Sequence, residues 1–182
     1  MPAITFIRHA ESELNRENRV AGSTDCGVTP EGLEAAKKAL PENEKNFDAI
    51  YRSPLRRTAQ TLEALIPSAT AIVDERLTEM NFGQWEGRYV DTLDPNELIL
   101  CRAGKFTPPD GETAEHLDAR LCDFIDDMFR TYRGNEKILA VTHGGVIRAV
   151  KQIFDFPDYC EISDNLGTLT LTTADYERYK NR

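Results

Sequence analysis

No apolar stretch in this chain approaches the roughly 18 to 20 residues that a membrane-crossing helix needs. The N-terminus also lacks the unbroken apolar segment of an export signal. Arg8, Glu11 and Glu13 interrupt it, so export is not expected and a cytoplasmic location is. Basic residues are scarce: 22 Lys and Arg stand against 31 Asp and Glu, a formal net charge of -9. That balance argues against nucleic acid or an anionic membrane as the main partner. Closely spaced cysteines are missing as well. Cys26, Cys101, Cys122 and Cys160 are far apart with no CxxC pair, the pattern of reduced structural thiols. There is no internal repeat, low-complexity tract or linker. The 182 residues, 40% apolar and 29% charged, therefore read as one ordinary globular domain over 1–182.

What is present is an alternation of short apolar runs with helical patterns, the mark of an α/β architecture. Strand candidates are 3–7 (AITFI), 48–51 (DAIY), 70–73 (TAIV), 138–142 (ILAVT) and 168–172 (TLTLT). The first four resemble strands buried in the middle of a mostly parallel sheet. The fifth alternates cleanly, as a strand nearer an edge does. Thr29 and Pro30 open a helix that Pro41 is expected to end. Leu55, Ala59, Leu62 and Ile66 mark a second helix, stopped by Pro67. Over 113–131, Leu117, Leu121, Phe124, Ile125, Met128 and Phe129 form one stripe, and Asp118, Asp123, Asp126 and Asp127 give a solvated opposite face. A last helix runs from about Val146 to Phe154. The segment 74–111 has no periodicity beyond a helix at 95–101, and an irregular segment of that length reads as a functional lid.

In a parallel α/β sheet, ligands bind beyond the C-terminal ends of the strands. Three strand candidates end suggestively. The first runs into Arg8 and His9. The second runs into YRSPLRRTAQT, with Arg52, Arg56 and Arg57. The fourth ends in THGGV, placing His143 at the strand end, with Gly144 and Gly145 leading into a helix start that favours anions. Arginine's planar fork fits phosphate oxygens, and imidazole can attack phosphorus. Two histidines and several arginines on one rim therefore suggest a phosphoryl site.

The motifs also appear in the order of a known family. RHAESELN (8–15), GSTDCGVTPEG, SPLRRTAQT, LTEMNFGQWEG, VTHGGVIR and the late NLGT (165–168) resemble the histidine phosphatase superfamily, the phosphoglycerate-mutase-like fold. Ala10, Ser12 and Thr58 depart mildly from the family pattern, each a small residue for another. Within the family the chain is similar to small bacterial phosphatases of the α-ribazole-phosphate and broad-specificity types. The resemblance implies a three-layer α/β/α sandwich with a mostly parallel, mixed sheet, TLTLT being the candidate antiparallel strand.

It also implies roles. His9 would be the nucleophile that is transiently phosphorylated, held neutral by Arg8 and Arg57, with its other ring nitrogen donating to a backbone carbonyl. Arg8, Arg57 and His143 would clamp the phosphoryl oxygens, with Asn15 and the Gly144 N–H adding donors. The alignment selects Arg57 over Arg56, which is left at the surface. Glu79 would protonate the leaving alkoxide and then activate water, while Glu75 and Glu86 read as solvated. Neighbouring arginines would repel a divalent cation, so neither metal nor cofactor is expected. His116 reads as a surface histidine, Phe82 and Trp85 as lid packing, and Asp110 or Thr113 as the cap of the long helix. The expected partner is a small phosphorylated metabolite and the expected activity phosphate-monoester hydrolysis. The alternatives are a cofactor-dependent phosphoglycerate mutase, generally a longer chain, and a non-catalytic phospholigand-binding protein on the same fold.

Overall fold

The computed structural model describes residues 1–157 and 164–182; Cys160 lies outside the described residues. Five strands form one sheet: β1 (Ala3–Arg8), β2 (Ala49–Arg52), β3 (Ile72–Val73), β4 (Lys137–Thr142) and β5 (Thr168–Thr172). Their order is β3-β2-β4-β1-β5. The pairs β1/β4, β2/β4 and β2/β3 are parallel, and β5 runs antiparallel to β1 at the edge.

Side-chain alternation makes the sheet two-faced. Ile4, Phe6, Ile138 and Ala140 point into one apolar cluster; Ile7, Leu139 and Val141 point into another on the opposite face. The first face is covered by α5 (Ala114–Thr131) and α6 (Gly144–Ile153), with Tyr176 and Tyr179 of α7 (Thr173–Lys180) packed alongside. The second is covered by α3 (Arg56–Leu65) through Leu62 and Leu65, and α2 (Pro30–Ala36) packs on α3. The result is the three-layer α/β/α sandwich.

Most helix starts carry the chemistry that satisfies their first N–H groups. Thr29 accepts from Gly32 N–H at 3.0 Å with Pro30 in the first turn, and Thr113, not Asp110, caps α5 by accepting from His116 N–H at 3.2 Å. Asp110 instead accepts from Gln84. Among the described residues no helix is long and apolar enough to cross a membrane.

Four expectations need correction. The helix expected to be the last, α6, is followed by α7 after β5. The helix opened by Thr29 and Pro30, which follows the short α1 (Glu13–Arg16), stops at Ala36, well before Pro41: past it the chain tightens, with Lys38 N–H bonding Ala35 and Ala39 N–H bonding Ala36, and Lys37 and Lys38 lie in solvent. The TAIV strand is a two-residue edge, not a central strand. Ile72 and Val73 are 54% and 48% exposed because β3 has only β2 as a neighbour. The acidic face of α5 is partly engaged, since Asp123 and Asp127 accept from Arg76 at 2.7 and 2.6 Å. Residues 74–111 contain three short 3₁₀ turns and α4 (Pro95–Arg102). The segment is irregular, but it is anchored rather than draped: Leu77, Met80, Trp85, Leu93 and Cys101 belong to the main core. Cys26, Cys101 and Cys122 are free thiols.

Candidate active site

Register explains why two histidines 134 residues apart in sequence meet. Arg8 and Thr142 are partners at the C-terminal ends of the adjacent parallel strands β1 and β4. The next residue on each strand is a histidine, and the two rings lie 5.2 Å apart between centroids, nearly edge to face. Both are buried, His9 at 3% exposure and His143 at 0%.

His9 Nδ1 lies 2.7 Å from the carbonyl oxygen of Ala10, which can only accept, so Nδ1 carries the proton and Nε2 keeps its lone pair. The carbonyl of His9 is itself held by Asn165 Nδ2 at 2.9 Å, and Ala10 N–H donates to Thr61 Oγ1 at 2.9 Å. Burial is the main reason the His9 imidazole resists protonation well below its ordinary range; the charges of Arg57 and then Arg8 add to it. Cations contribute as the sequence suggests, but desolvation leads.

Arg57 is wholly buried and heavily engaged. Its Nη2 donates to Gly22 O at 2.7 Å, Nη1 to Thr24 O at 2.8 Å, and Nε to His143 Nδ1 at 3.2 Å. His143 Nε2 is therefore the protonated nitrogen, donating to Ser53 Oγ at 2.8 Å. Its imidazole too is held neutral, by burial first and then by Arg57, His9 and Arg8.

Glu79 reaches the same cavity from the 74–111 segment. Its carboxylate accepts from Met80 N–H at 2.9 Å and from Gly145 N–H at 3.0 Å, so the first turn of α6 holds an acid of this chain. A Cβ on Gly145 would overlap Glu79 Oε1, which is why glycine stands there.

Arg8, His9, Asn15, Arg57, Glu79 and Gly144 all line one cavity of about 170 Å³. His143 sits behind it, reaching it through Arg57. Asn15 Oδ1 accepts from Asn165 Nδ2 at 3.2 Å and from Ser12 N–H at 3.3 Å. A larger groove of about 650 Å³ shares Glu79 but includes neither His9 nor His143. Of Arg52, Arg56 and Arg57, only Arg57 enters the site. Arg56 is exposed, 4.0 Å from Glu13, and Arg52 donates to Ser53 O. His116 is a surface residue held by Glu112, and Glu75 is exposed. Trp85 is core, stacked on Phe106 at 5.5 Å.

Glu86 is not solvated. Its Oε1 accepts from Ser23 N–H, Ser23 Oγ and Phe82 N–H at 2.8, 2.9 and 3.1 Å, and its Oε2 accepts from Thr24 N–H and Oγ1 at 2.9 and 2.5 Å. Those donors hold its carboxyl below the usual range against the opposing effect of burial. Loop 22–24 is thus clipped between Glu86 on one side and Arg57 on the other. Ser53, Asn165 and Glu86 are the supporting residues that sequence reasoning left without a role, although each sits inside a recognised motif.

A three-layer α/β/α domain with paired imidazoles and arginines beyond its parallel strands defines the histidine phosphatase fold class. The chain belongs to the histidine phosphatase superfamily (branch 1), whose family model matches residues 4–181. It is 33% identical over 159 residues to a Hydrogenobacter thermophilus protein named "Putative phosphoserine phosphatase 2", covering 82% of this chain and 77% of that one. It is 27% identical over 186 residues to the probable phosphoglycerate mutase GpmB of Enterobacter sp. (strain 638), covering 97% and 86%. Among solved structures, a mutant phosphoserine phosphatase from Entamoeba histolytica in complex with phosphoserine superposes with a TM-score of 0.81 at 26% identity, covering 94% and 91%. A mycobacterial glucosyl-3-phosphoglycerate phosphatase shares the fold with a TM-score of 0.83 at 22% identity, covering 93% and 92%.

Proposed function

We propose that this protein hydrolyses small phosphate monoesters through a phosphohistidine on His9. The observation that carries the reading is the 2.7 Å bond between His9 Nδ1 and Ala10 O, which leaves Nε2 as an uncharged nucleophile beside two guanidinium groups. His9 Nε2 attacks phosphorus as the bond from phosphorus to the ester oxygen breaks, and Glu79 delivers its proton to that oxygen. Glu79, now a carboxylate, takes a proton from water as the water oxygen attacks the phosphohistidine and the bond from Nε2 to phosphorus breaks. Arg8 and Arg57, with Asn15 and the Gly144 N–H, meet the charge that spreads over the equatorial oxygens. His143 supports this by orienting Arg57. Relatives named for phosphoserine phosphatase activity favour hydrolysis of a small ester.

The test is phosphate release from a panel including phosphoserine, 3-phosphoglycerate and α-ribazole phosphate, with and without chelator. Turnover that survives EDTA and disappears in His9→Ala, with acid-labile phosphate trapped on the wild type, is the expected result. Isomerisation of phosphoglycerate that depends on a bisphosphate, with little phosphate released, would make the chain a mutase. Absence of trapped phosphate with every ester would make it a binding protein.

A further inference from the structure

The catalytic cavity continues past His9 to a wall built by the end of α4 and the first turns of α6. Arg102 is the last residue of α4, and Arg148 follows Gly144 by four positions on α6; both line the cavity together with Arg8 and His9. Residues four apart share a helix face, displaced about 6 Å along the axis. Gly144 packs on Arg8, since a Cβ there would lie 3.4 Å from Arg8 Cζ. Arg148 therefore stands roughly one helical turn beyond the phosphate clamp.

These two arginines are unusual for this molecule. Arg16, Arg19, Arg76, Arg120, Arg130 and Arg178 each pair with a carboxylate, and Arg52, Arg57, Arg88 and Arg133 donate to backbone carbonyls. Among the described residues Arg102 and Arg148 have no such partner, although the chain carries 31 acids against 22 bases. Glu79 shares their cavity but is held by the Met80 and Gly145 N–H groups, and Asp118 shares a smaller void with them. The Asp118 carboxyl is pushed up by burial and by Glu115, with no contribution from either arginine, so it does not neutralise them. Arg102 is half-buried, and desolvation and the charge of Arg148 both work against its own. Two half-buried cations close enough for one to act on the other raise the energy of the empty site and lower that of a site holding an anion. Val90, Leu98, Phe82 and Trp85 give the same cavity an apolar wall, which suits a short carbon skeleton.

We propose that Arg102 and Arg148 form a second anion subsite that selects small phosphate monoesters bearing a carboxylate at the end remote from the phosphate. A pair of planar guanidinium forks matches a carboxylate. The cavity, about 170 Å³, lies below the usual range for drug-sized ligands and leaves room for only a few atoms between the two charges. On this assignment a bulky ester with an apolar aglycone, such as α-ribazole phosphate, is a poor substrate. The inference rests on the phosphatase reading and narrows its substrate class.

Two ester pairs test it. 3-Phosphoglycerate and glycerol 3-phosphate differ only in a carboxylate against a hydroxymethyl group. Wild-type kcat/KM is expected to favour the acid by about tenfold or more, the scale of one charge-assisted contact. In Arg102→Gln and Arg148→Gln that ratio falls towards one, chiefly through KM for the acid, and Arg148→Lys restores part of it. A wild-type ratio near one, or a ratio that survives both substitutions, overturns the subsite while leaving phosphohistidine hydrolysis intact. Calorimetric binding of 3-phosphonopropionate against propylphosphonate reads the subsite without turnover; equal affinities overturn it even if the chain hydrolyses nothing. Loss of trapped phosphate on His9, with the acid phosphonate still preferred, would overturn only the hydrolase reading.

Discussion

Arg57 Nε–H donates to His143 Nδ1 at 3.2 Å, and this bond makes the two site histidines opposite tautomers. His9 carries its proton on Nδ1, towards Ala10 O, and His143 carries its proton on Nε2, towards Ser53 Oγ. Each ring is thereby fixed by its own neighbours, and only His9 has a lone pair left for phosphorus. In the resting site the second imidazole offers the phosphoryl group no N–H of its own. Its Nδ1 is taken up by Arg57 instead.

Nitrogen-15 NMR checks this directly. His9 is expected to show a pyrrole-like Nδ1 and a pyridine-like Nε2, and His143 the reverse. Because burial and the arginines hold both rings neutral far below the ordinary histidine range, neither set of shifts should move as pH falls from 8 to about 5.5. A transition centred near the ordinary value of about 6.5 in either ring contradicts the assignment.

Stability follows the same shifts, and the sign is fixed by them. Both histidines bind a proton less readily folded than unfolded, so the unfolded state takes up more protons as pH drops. Their contribution is complete above about pH 6.5 and is lost as pH falls from there towards the depressed folded values, at up to roughly 1.4 kcal/mol per pH unit for each proton. Urea midpoints measured from pH 8 to 5 should decline below 6.5, and His9→Ala should make the decline shallower. A midpoint that rises on acidification below 6.5 would refute the linkage.

Glu86→Ala removes the acceptor of five donors on loop 22–24 and Phe82. It should cost about 1 kcal/mol of stability, since the donors of Ser23 and Phe82 are only partly buried and those of Thr24 can turn to water. Because the same loop supplies the carbonyls that hold Arg57, inhibition by orthovanadate should weaken in the folded variant as well. Unchanged vanadate inhibition in a destabilised variant would show that the clip is only structural.

Gly145→Ala puts a methyl group against the Glu79 carboxylate. The variant should mimic Glu79→Gln: roughly 10²–10⁴ slower on alkyl phosphates, which need a proton delivered to the departing oxygen. p-Nitrophenyl phosphate, whose leaving group needs little such help, should be affected far less. Equal losses on both esters would argue that Glu79 binds substrate rather than transferring a proton.

Much of the chemistry was legible in the chain because strand ends announce themselves. AITFI and ILAVT are short apolar runs that read as interior strands, and each delivers a histidine to the same rim. The choice between Arg56 and Arg57 was not readable from spacing, since it depends on where α3 begins, and Leu55 leaves no side-chain cap to mark that point. Glu86, Ser53 and Asn165 were opaque for another reason. Their partners are 63, 90 and 156 residues away, so their roles exist only after the sheet has brought the loops together. The TAIV run misled because two β-branched residues in an apolar setting look the same at an edge as at the centre of a sheet.

Arg57 ties a loop, a helix and the second imidazole into one knot, so almost any exchange there unravels the reaction centre. The α4 wall is knotted to nothing comparable at Arg102: that side chain can be exchanged while the knot stays whole, even though Cys101 beside it belongs to the core. In a lineage built on this scaffold, ancestry should therefore be recorded in the knot and diet in the wall, with new preferences arising by a few replacements along one short helix.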